Sequence, residues 1–126
     1  MSEKEPALAM RRVIYAMNAG DNSACLSGMT SNVVIVDDVV PFRRTGRQGA
    51  EKWLHRLADS RERLDASLTL EAAEVRVASK RAYIVAPASL KGGLVKSDFE
   101  INGLVTSTLI ERKGEWLVDS LIWTAR

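Results

Sequence analysis

Two adjacent carboxylates, Asp37 and Asp38, are the residues of this chain best suited to acid–base chemistry. They follow the run from Val33 to Val36, whose β-branched side chains fit a pleated strand better than a helix. Successive side chains of a strand point to opposite faces, so one of the two carboxylates points toward the apolar side. An inward carboxylate needs hydrogen bonds, a wet cavity or a retained proton, and the last two suit a general acid or base. The pattern leaves open which of the two is inward.

The composition is that of one compact domain, which we assign to residues 1–126, with 46% apolar residues and a net charge of +2. Basic residues are interleaved with acidic ones and form no stripe with aromatic residues, so we expect no nucleic-acid partner. No run approaches the roughly 18 apolar residues of a membrane span, and the first ten residues lack the apolar core of a signal peptide. The single cysteine, Cys25, excludes an internal disulfide and a clustered zinc site. These features predict a cytoplasmic protein with no membrane partner and no metal.

Three helices are predicted in the first half of the chain. Residues 5–19 place apolar side chains on one broad stripe, and a short helix follows over residues 22–29. The third helix runs from about residue 49 to residue 64 and carries Trp53 on its buried stripe. Cys25 is interpreted as a small core residue and not as a nucleophile, because no histidine lies near it in the sequence.

The second half of the chain predicts strands and turns. Residues 64–78 form a strand with a bend or bulge near Ala72 and Ala73, and two long strands follow, joined at Lys91-Gly92-Gly93. Residues 115–125 form the last strand. Helices followed by long antiparallel strands predict an α+β domain in which the sheet wraps around the helices.

The long strands mix polar and large apolar residues on one face. Thr106 lies on such a face of the longest strand, and Asp119, Leu121 and Trp123 alternate along the last one. A few polar groups in a mostly apolar lining are typical of a ligand cavity. The alternative is that these faces are only partly covered or form a dimer interface.

Short motifs over nearly the whole chain carry a family resemblance. The first helix ends in Asn18-Ala19-Gly20-Asp21, a strand ends in Asp, Gly46 precedes the third helix, and the closing strand has the pattern Gly114-x-Trp116-x-Val118. This pattern resembles the nuclear transport factor two-like superfamily, and its SnoaL-like polyketide cyclase and ketosteroid isomerase branches are the most similar. The resemblance implies a cystatin-like cone of three N-terminal helices packed on a curved, mostly antiparallel β-sheet. It also implies a pocket at the open end and a homodimer through the sheet.

The resemblance to ketosteroid isomerases also implies roles for individual residues. Alignment on the Asn18–Asp21 motif places Asp37 on the aspartate that shuttles the proton in those enzymes. The tyrosine that would donate to the enolate falls on Val13, two residues from Tyr15, and the second donor falls near Thr106. The base is therefore matched and the oxyanion hole is not, so we do not expect steroid isomerisation as such. The same alignment puts Asp119 and Trp123 at cavity-lining positions.

One functional hypothesis is an enzyme. Asp37 would be the base in a cofactor-independent isomerisation, cyclisation or dehydration of a small hydrophobic carbonyl compound. Tyr15 or Thr106 would donate to the developing charge, and Trp53 and Trp123 would form walls. No metal or organic cofactor is expected.

The other hypothesis is a non-catalytic module. The cavity would bind a small apolar or weakly acidic molecule, or would close only by dimerisation, and the carboxylates would bond the backbone at the end of the strand. A Tyr15 side chain directed at the inward carboxylate would favour catalysis, whereas a partner such as Arg43 or Arg47 would favour a structural role. Fold alone does not decide between these hypotheses.

Overall fold

Three helices pack on one curved β-sheet in the computed structural model, which describes residues 4–64, 66–94 and 97–126. The helices are α1 (Lys4–Ala19), α2 (Asn22–Ser27) and α3 (Gly46–Leu64). The strands are β1 (Met29–Val36), β2 (Arg43–Thr45), β3 (Ser67–Leu70), β4 (Glu74–Ala78), β5 (Arg81–Leu94), β6 (Ser97–Arg112) and β7 (Glu115–Ala125).

The sheet is mostly antiparallel. Its order is β2-β1-β7-β6-β5-β3, and β4 pairs with the same edge of β5 as β3 does. Only the pairing of β1 with β7 is parallel among the described strands. The predicted α+β class and the predicted three helices on a mostly antiparallel sheet are therefore confirmed.

The helices bury one stripe against the concave face of the sheet. In α1 the buried side chains are Pro6, Met10, Val13, Ile14 and Met17, at the three- and four-residue spacing of an amphipathic helix. They join the inward side chains of the central strands in one apolar core.

Cys25 lies in this core and is 0% exposed. Its burial, and to a smaller extent the nearby Asp21 carboxylate, raises the thiol pKa to about 11. The thiol therefore stays protonated at neutral pH, as expected for a core residue and not for a nucleophile.

Strand β1 begins at Met29, four residues before the predicted start at Val33. Residues 30–32, which lie between the predicted second helix and the predicted strand, belong to the strand, although its register against β7 shifts between Met29 and Val34. Thr30, in this irregular part, is buried and donates a hydrogen bond of 2.7 Å to Asp119 Oδ1. The buried hydroxyl of Thr30 thus finds its hydrogen-bond partner within the sheet.

The predicted hairpin turn at Lys91-Gly92-Gly93 is wrong. Gly92 pairs with Phe99 and Gly93 pairs with Asp98, and the β5–β6 ladder continues to Leu94 opposite Ser97. Glycine also occurs inside strands, although it weakens them, so the doublet alone did not fix the position of the turn. The predicted bend near Ala72 and Ala73 is confirmed, because these residues lie in the break between β3 and β4.

The outer face of the sheet points away from the helices. Along β6 the buried residues alternate with half-buried ones, so Thr106 lies on the face opposite Val105 and Ser107. Its neighbours on this face include Ile122 on β7 and Val85 on β5. The face is mildly apolar, and Tyr83 is 50% exposed there. The homodimer through the sheet stays a prediction, which sedimentation of the protein in solution tests directly.

None of the described helices combines the length and the apolar character that a membrane span requires.

Candidate functional site

A cavity of about 240 Å³ lies where the end of α1, the helix α3 and the concave face of the sheet meet. Its floor and walls are mostly apolar, and its charged members are Asp37, Asp38 and Arg56. The other lining residues are Met17, Asn18, Val39, Trp53, Leu57, Ala66, Ser67, Leu68, Leu90, Phe99 and Trp123. A mostly apolar lining with a few polar groups is the usual make-up of a small-molecule site.

Asp37 is the inward member of the carboxylate pair. Val33 and Ile35 are 1% and 2% exposed, and Asp37 continues the same alternation from the end of β1. Its side chain is 11% exposed, whereas Asp38 is an exposed residue at the rim of the cavity. The question that the sequence left open is thereby answered in favour of Asp37.

Three donors hold the Asp37 carboxylate. Oδ1 accepts from the backbone N–H of Val39 at 3.1 Å. Oδ2 accepts from the indole Nε1 of Trp53 at 3.2 Å and from Nη2 of Arg56, with which it also forms an ion pair. The Arg56 side chain is 26% exposed, so this pair is largely removed from water. The cation of this ion pair, Arg56, lies on α3. The sequence analysis had instead named Arg43 or Arg47 as the partner that would favour a structural role.

One wall of the cavity is held by a side-chain amide that makes two hydrogen bonds to the backbone of β3. Asn18, near the end of α1, donates from Nδ2 to the Leu68 carbonyl at 2.7 Å and accepts from the Leu68 N–H at 2.9 Å. This double hydrogen bond joins α1 to β3, and both residues line the cavity. The asparagine of the Asn18–Asp21 motif therefore has a structural role that positions this wall.

Another wall depends on the absence of a side chain. The Trp123 ring packs directly over Gly103 on the neighbouring strand, where a Cβ atom would lie 2.6 Å from Cη2 of the ring and 2.4 Å from the Thr124 carbonyl oxygen. Real Cβ atoms essentially never show contacts this short. Gly103 thus allows the ring to pack closely against the neighbouring strand at the edge of the cavity.

Comparisons with known proteins identify the fold. No protein-family model matches the chain, and no curated protein matches it in sequence. A 1.16 Å crystal structure from Novosphingobium aromaticivorans, described as an NTF2-like protein with a cystatin-like fold, superposes with a TM-score of 0.79. The two are 16% identical, and the match covers 97% of this chain and 80% of that one. The chain has the nuclear transport factor two-like fold.

Two further solved structures with this fold have been provisionally named as enzymes. A provisionally named scytalone dehydratase from Novosphingobium aromaticivorans has a TM-score of 0.82 and 13% identity, over 98% of this chain and 83% of that one. A provisionally named ketosteroid isomerase from Shewanella frigidimarina has a TM-score of 0.77 and 14% identity, over 95% of this chain and 94% of that one. At these identities the similarity shows the nuclear transport factor two-like fold alone.

The fold brings together some of the residues that the sequence singled out. Asp37, Trp53 and Trp123 all line the cavity. Tyr15 does not, because it is on the outer side of α1 and is 61% exposed. Thr106 does not either, because it lies on the outer face of the sheet. The expectation that one of these two hydroxyls would act as a donor beside Asp37 is therefore corrected.

Asp119 also lies away from the cavity lining. It is the extra residue of a bulge in β7, since Ser120 pairs with Thr108 while Val118 pairs with Leu109. The bulge places Val118 and Leu121 on the same inner side of the sheet, and the Asp119 carboxylate accepts from Thr30. Simple alternation along this strand had assigned Asp119 to the face of Trp123, but the bulge breaks that alternation, and Asp119 is not among the described residues that line the cavity.

Arg56 is the site residue that the sequence analysis missed. It lies three residues after Trp53, which places both on the same side of α3. A cation at that spacing within an otherwise apolar stripe is a signal of a buried partner, and Asp37 is that partner. Within the described residues, no group of three histidine, cysteine, aspartate or glutamate side chains could hold a metal ion.

Proposed function

We propose that the chain binds a small, mostly apolar molecule in this cavity, with Asp37 as the polar anchor. The observation that carries the proposal is an inward carboxylate, 11% exposed, at the end of a cavity whose walls are largely aromatic and aliphatic. Its volume of about 240 Å³ is below the roughly 300–1,000 Å³ of drug-sized sites, which favours a ligand of one or two rings. The site residues in this proposal are Asp37, Trp53 and Trp123.

The three tryptophans provide an internal test of binding. We expect small alicyclic and aromatic carbonyl compounds to shift the indole N–H signals of Trp53 and Trp123 in a ¹H–¹⁵N NMR titration, because both rings line the cavity. Trp116 is buried elsewhere in the core and serves as the control signal in the same molecule. Uniform shifts of all three signals, or none over the whole panel, would contradict the proposal.

A second candidate function is cofactor-independent acid–base catalysis at the same site. Asp37 would take a proton from the carbon α to the carbonyl group, as an isomerase, cyclase or dehydratase requires. The inward carboxylate and the enzyme names given to relatives of the same fold support this candidate. The three donors around Asp37 favour the binding function, because they hold the carboxylate in one position and occupy three of its hydrogen-bond acceptor positions.

Hydrogen–deuterium exchange at carbon separates the two candidates without knowledge of the natural substrate. If Asp37 is a base, the protein in D₂O should speed deuterium incorporation α to the carbonyl of ketones such as 3-methylcyclohexanone and 4-phenyl-2-butanone. Asp37→Asn should reduce the protein-dependent rate by about 100-fold or more. Asp38→Asn is the matched control and should retain the wild-type rate. Indole shifts without any protein-dependent exchange would leave binding as the function and remove catalysis.

A further inference from the structure

Arg56 lines the cavity, and its positive charge is already neutralised by the ion pair with Asp37. The charged lining residues are two aspartates and one arginine, which sum to a formal charge of −1. Arg56 bonds Asp37 through Nη2, while its Nε is buried and has no hydrogen-bond partner among the described residues. Because Nε is buried, that donor is not presented to a molecule in the cavity. A carboxylate ligand would therefore meet a net negative lining whose arginine is already paired with Asp37.

The available polar position at Asp37 is an acceptor. A carboxylate has about four acceptor positions, two on each oxygen. Among the described contacts, Oδ2 accepts two donors and Oδ1 accepts one, so one position remains on Oδ1. A ligand satisfies that position only by bringing a donor, and an uncharged hydroxyl group does so without adding negative charge.

The remaining lining defines the rest of the ligand. Trp53, Phe99 and Trp123 present aromatic surface, and Leu57, Leu68 and Leu90 add aliphatic surface. The side-chain amide of Asn18, which also lines the cavity, is already bonded to Leu68. An aromatic or alicyclic body with a single hydroxyl end matches this distribution of groups.

We infer that the cavity selects uncharged hydroxyl compounds over carboxylates, and that Asp37 sets this selectivity by occupying the guanidinium of Arg56. The inference rests on the proposed binding function and is independent of catalysis. Replacing Asp37 with a neutral residue frees Arg56, and the same cavity should then prefer carboxylates.

Cinnamyl alcohol and cinnamate test the inference, because they share one carbon skeleton and differ in the polar end. At pH 7 we expect the wild-type protein to bind the alcohol at least about tenfold more tightly than the carboxylate, with dissociation constants taken from the Trp53 and Trp123 indole shifts. Asp37→Asn should reverse the preference. Asp38→Asn changes the lining charge by the same amount but leaves Arg56 paired, so it should narrow the wild-type preference without reversing it.

Three results would overturn the inference. They are a wild-type preference for cinnamate, no binding of either probe to the wild-type protein, and equal changes in preference in Asp37→Asn and Asp38→Asn. Asp37→Ser replaces Asp37→Asn if the latter does not fold, and the wild-type comparison needs neither variant. Cinnamate preferred by a protein that still shows indole shifts would overturn the selectivity and leave the proposed binding function standing.

Discussion

Arg56→Met should lower the free energy of unfolding by about 2 kcal/mol. Removing one partner of a fully buried ion pair costs roughly 3–5 kcal/mol, because the other charge is left uncompensated. The value expected here is smaller, because Arg56 retains 26% exposure and Asp37 keeps its bonds to Trp53 and to the Val39 N–H. Urea denaturation of the wild-type and variant proteins at pH 7 measures the difference.

A double-mutant cycle shows whether the loss belongs to the pair. Asp37→Asn alone should also cost about 2 kcal/mol, and the double variant Asp37→Asn with Arg56→Met should cost clearly less than the two single changes added together. The matched control is the ion pair of Arg47 with Glu51 on the surface of α3, whose side chains are 61% and 49% exposed. Arg47→Met should change stability by less than about 0.5 kcal/mol. Strict additivity in the cycle would mean that Arg56 stabilises the fold through its packing and not through Asp37.

Gly103→Ala should cost about 2 kcal/mol and disturb the cavity as well. The new Cβ would lie 2.4 Å from a backbone oxygen and 2.6 Å from the Trp123 ring, so either the strand or the ring must move. Overpacking of this kind costs typically 1–3 kcal/mol, and the lower entropy of the unfolded alanine chain offsets only about 0.4–1 kcal/mol. Because the displaced ring lines the cavity, ligand binding should weaken together with stability.

Denaturation and the Trp123 indole signal measure the two effects of Gly103→Ala separately. The neighbouring change Asn102→Ala is the control, since that side chain is exposed and its bond to Ser89 lies at the surface. It should stay within about 0.5 kcal/mol of the wild-type stability. A stable Gly103→Ala protein with an unmoved Trp123 signal would refute the close packing of the ring on the glycine.

The sequence predicted those features that regular periodicity encodes. The helical stripe of α1 and the alternation of Val33, Ile35 and Asp37 follow directly from the geometry of helices and strands, and they are enough to predict the α+β class and an inward carboxylate. The Asn18–Asp21 motif added the fold through resemblance. Trp53 could be assigned to the buried stripe of α3 for the same reason of spacing.

The features that escaped prediction depend on interruptions of that periodicity. One extra residue at Asp119 reverses the faces of β7 beyond it, and nothing in the local sequence marks the position. The register shift of β1, in the part of the strand that contains Thr30, is likewise not marked in the local sequence. Arg56 was missed for a different reason, since its role exists only through a partner 19 positions away that the tertiary fold supplies.

The double hydrogen bond of Asn18 has a consequence for the solution behaviour of the protein. An outer strand of a sheet normally offers free N–H and C=O groups to which the strand of another molecule can add, a common route to aggregation. At Leu68 both groups are already taken by the Asn18 amide. The end of α1 therefore occupies a place where a foreign strand would otherwise attach, so the residue that holds the cavity wall also protects the margin of the sheet from self-association.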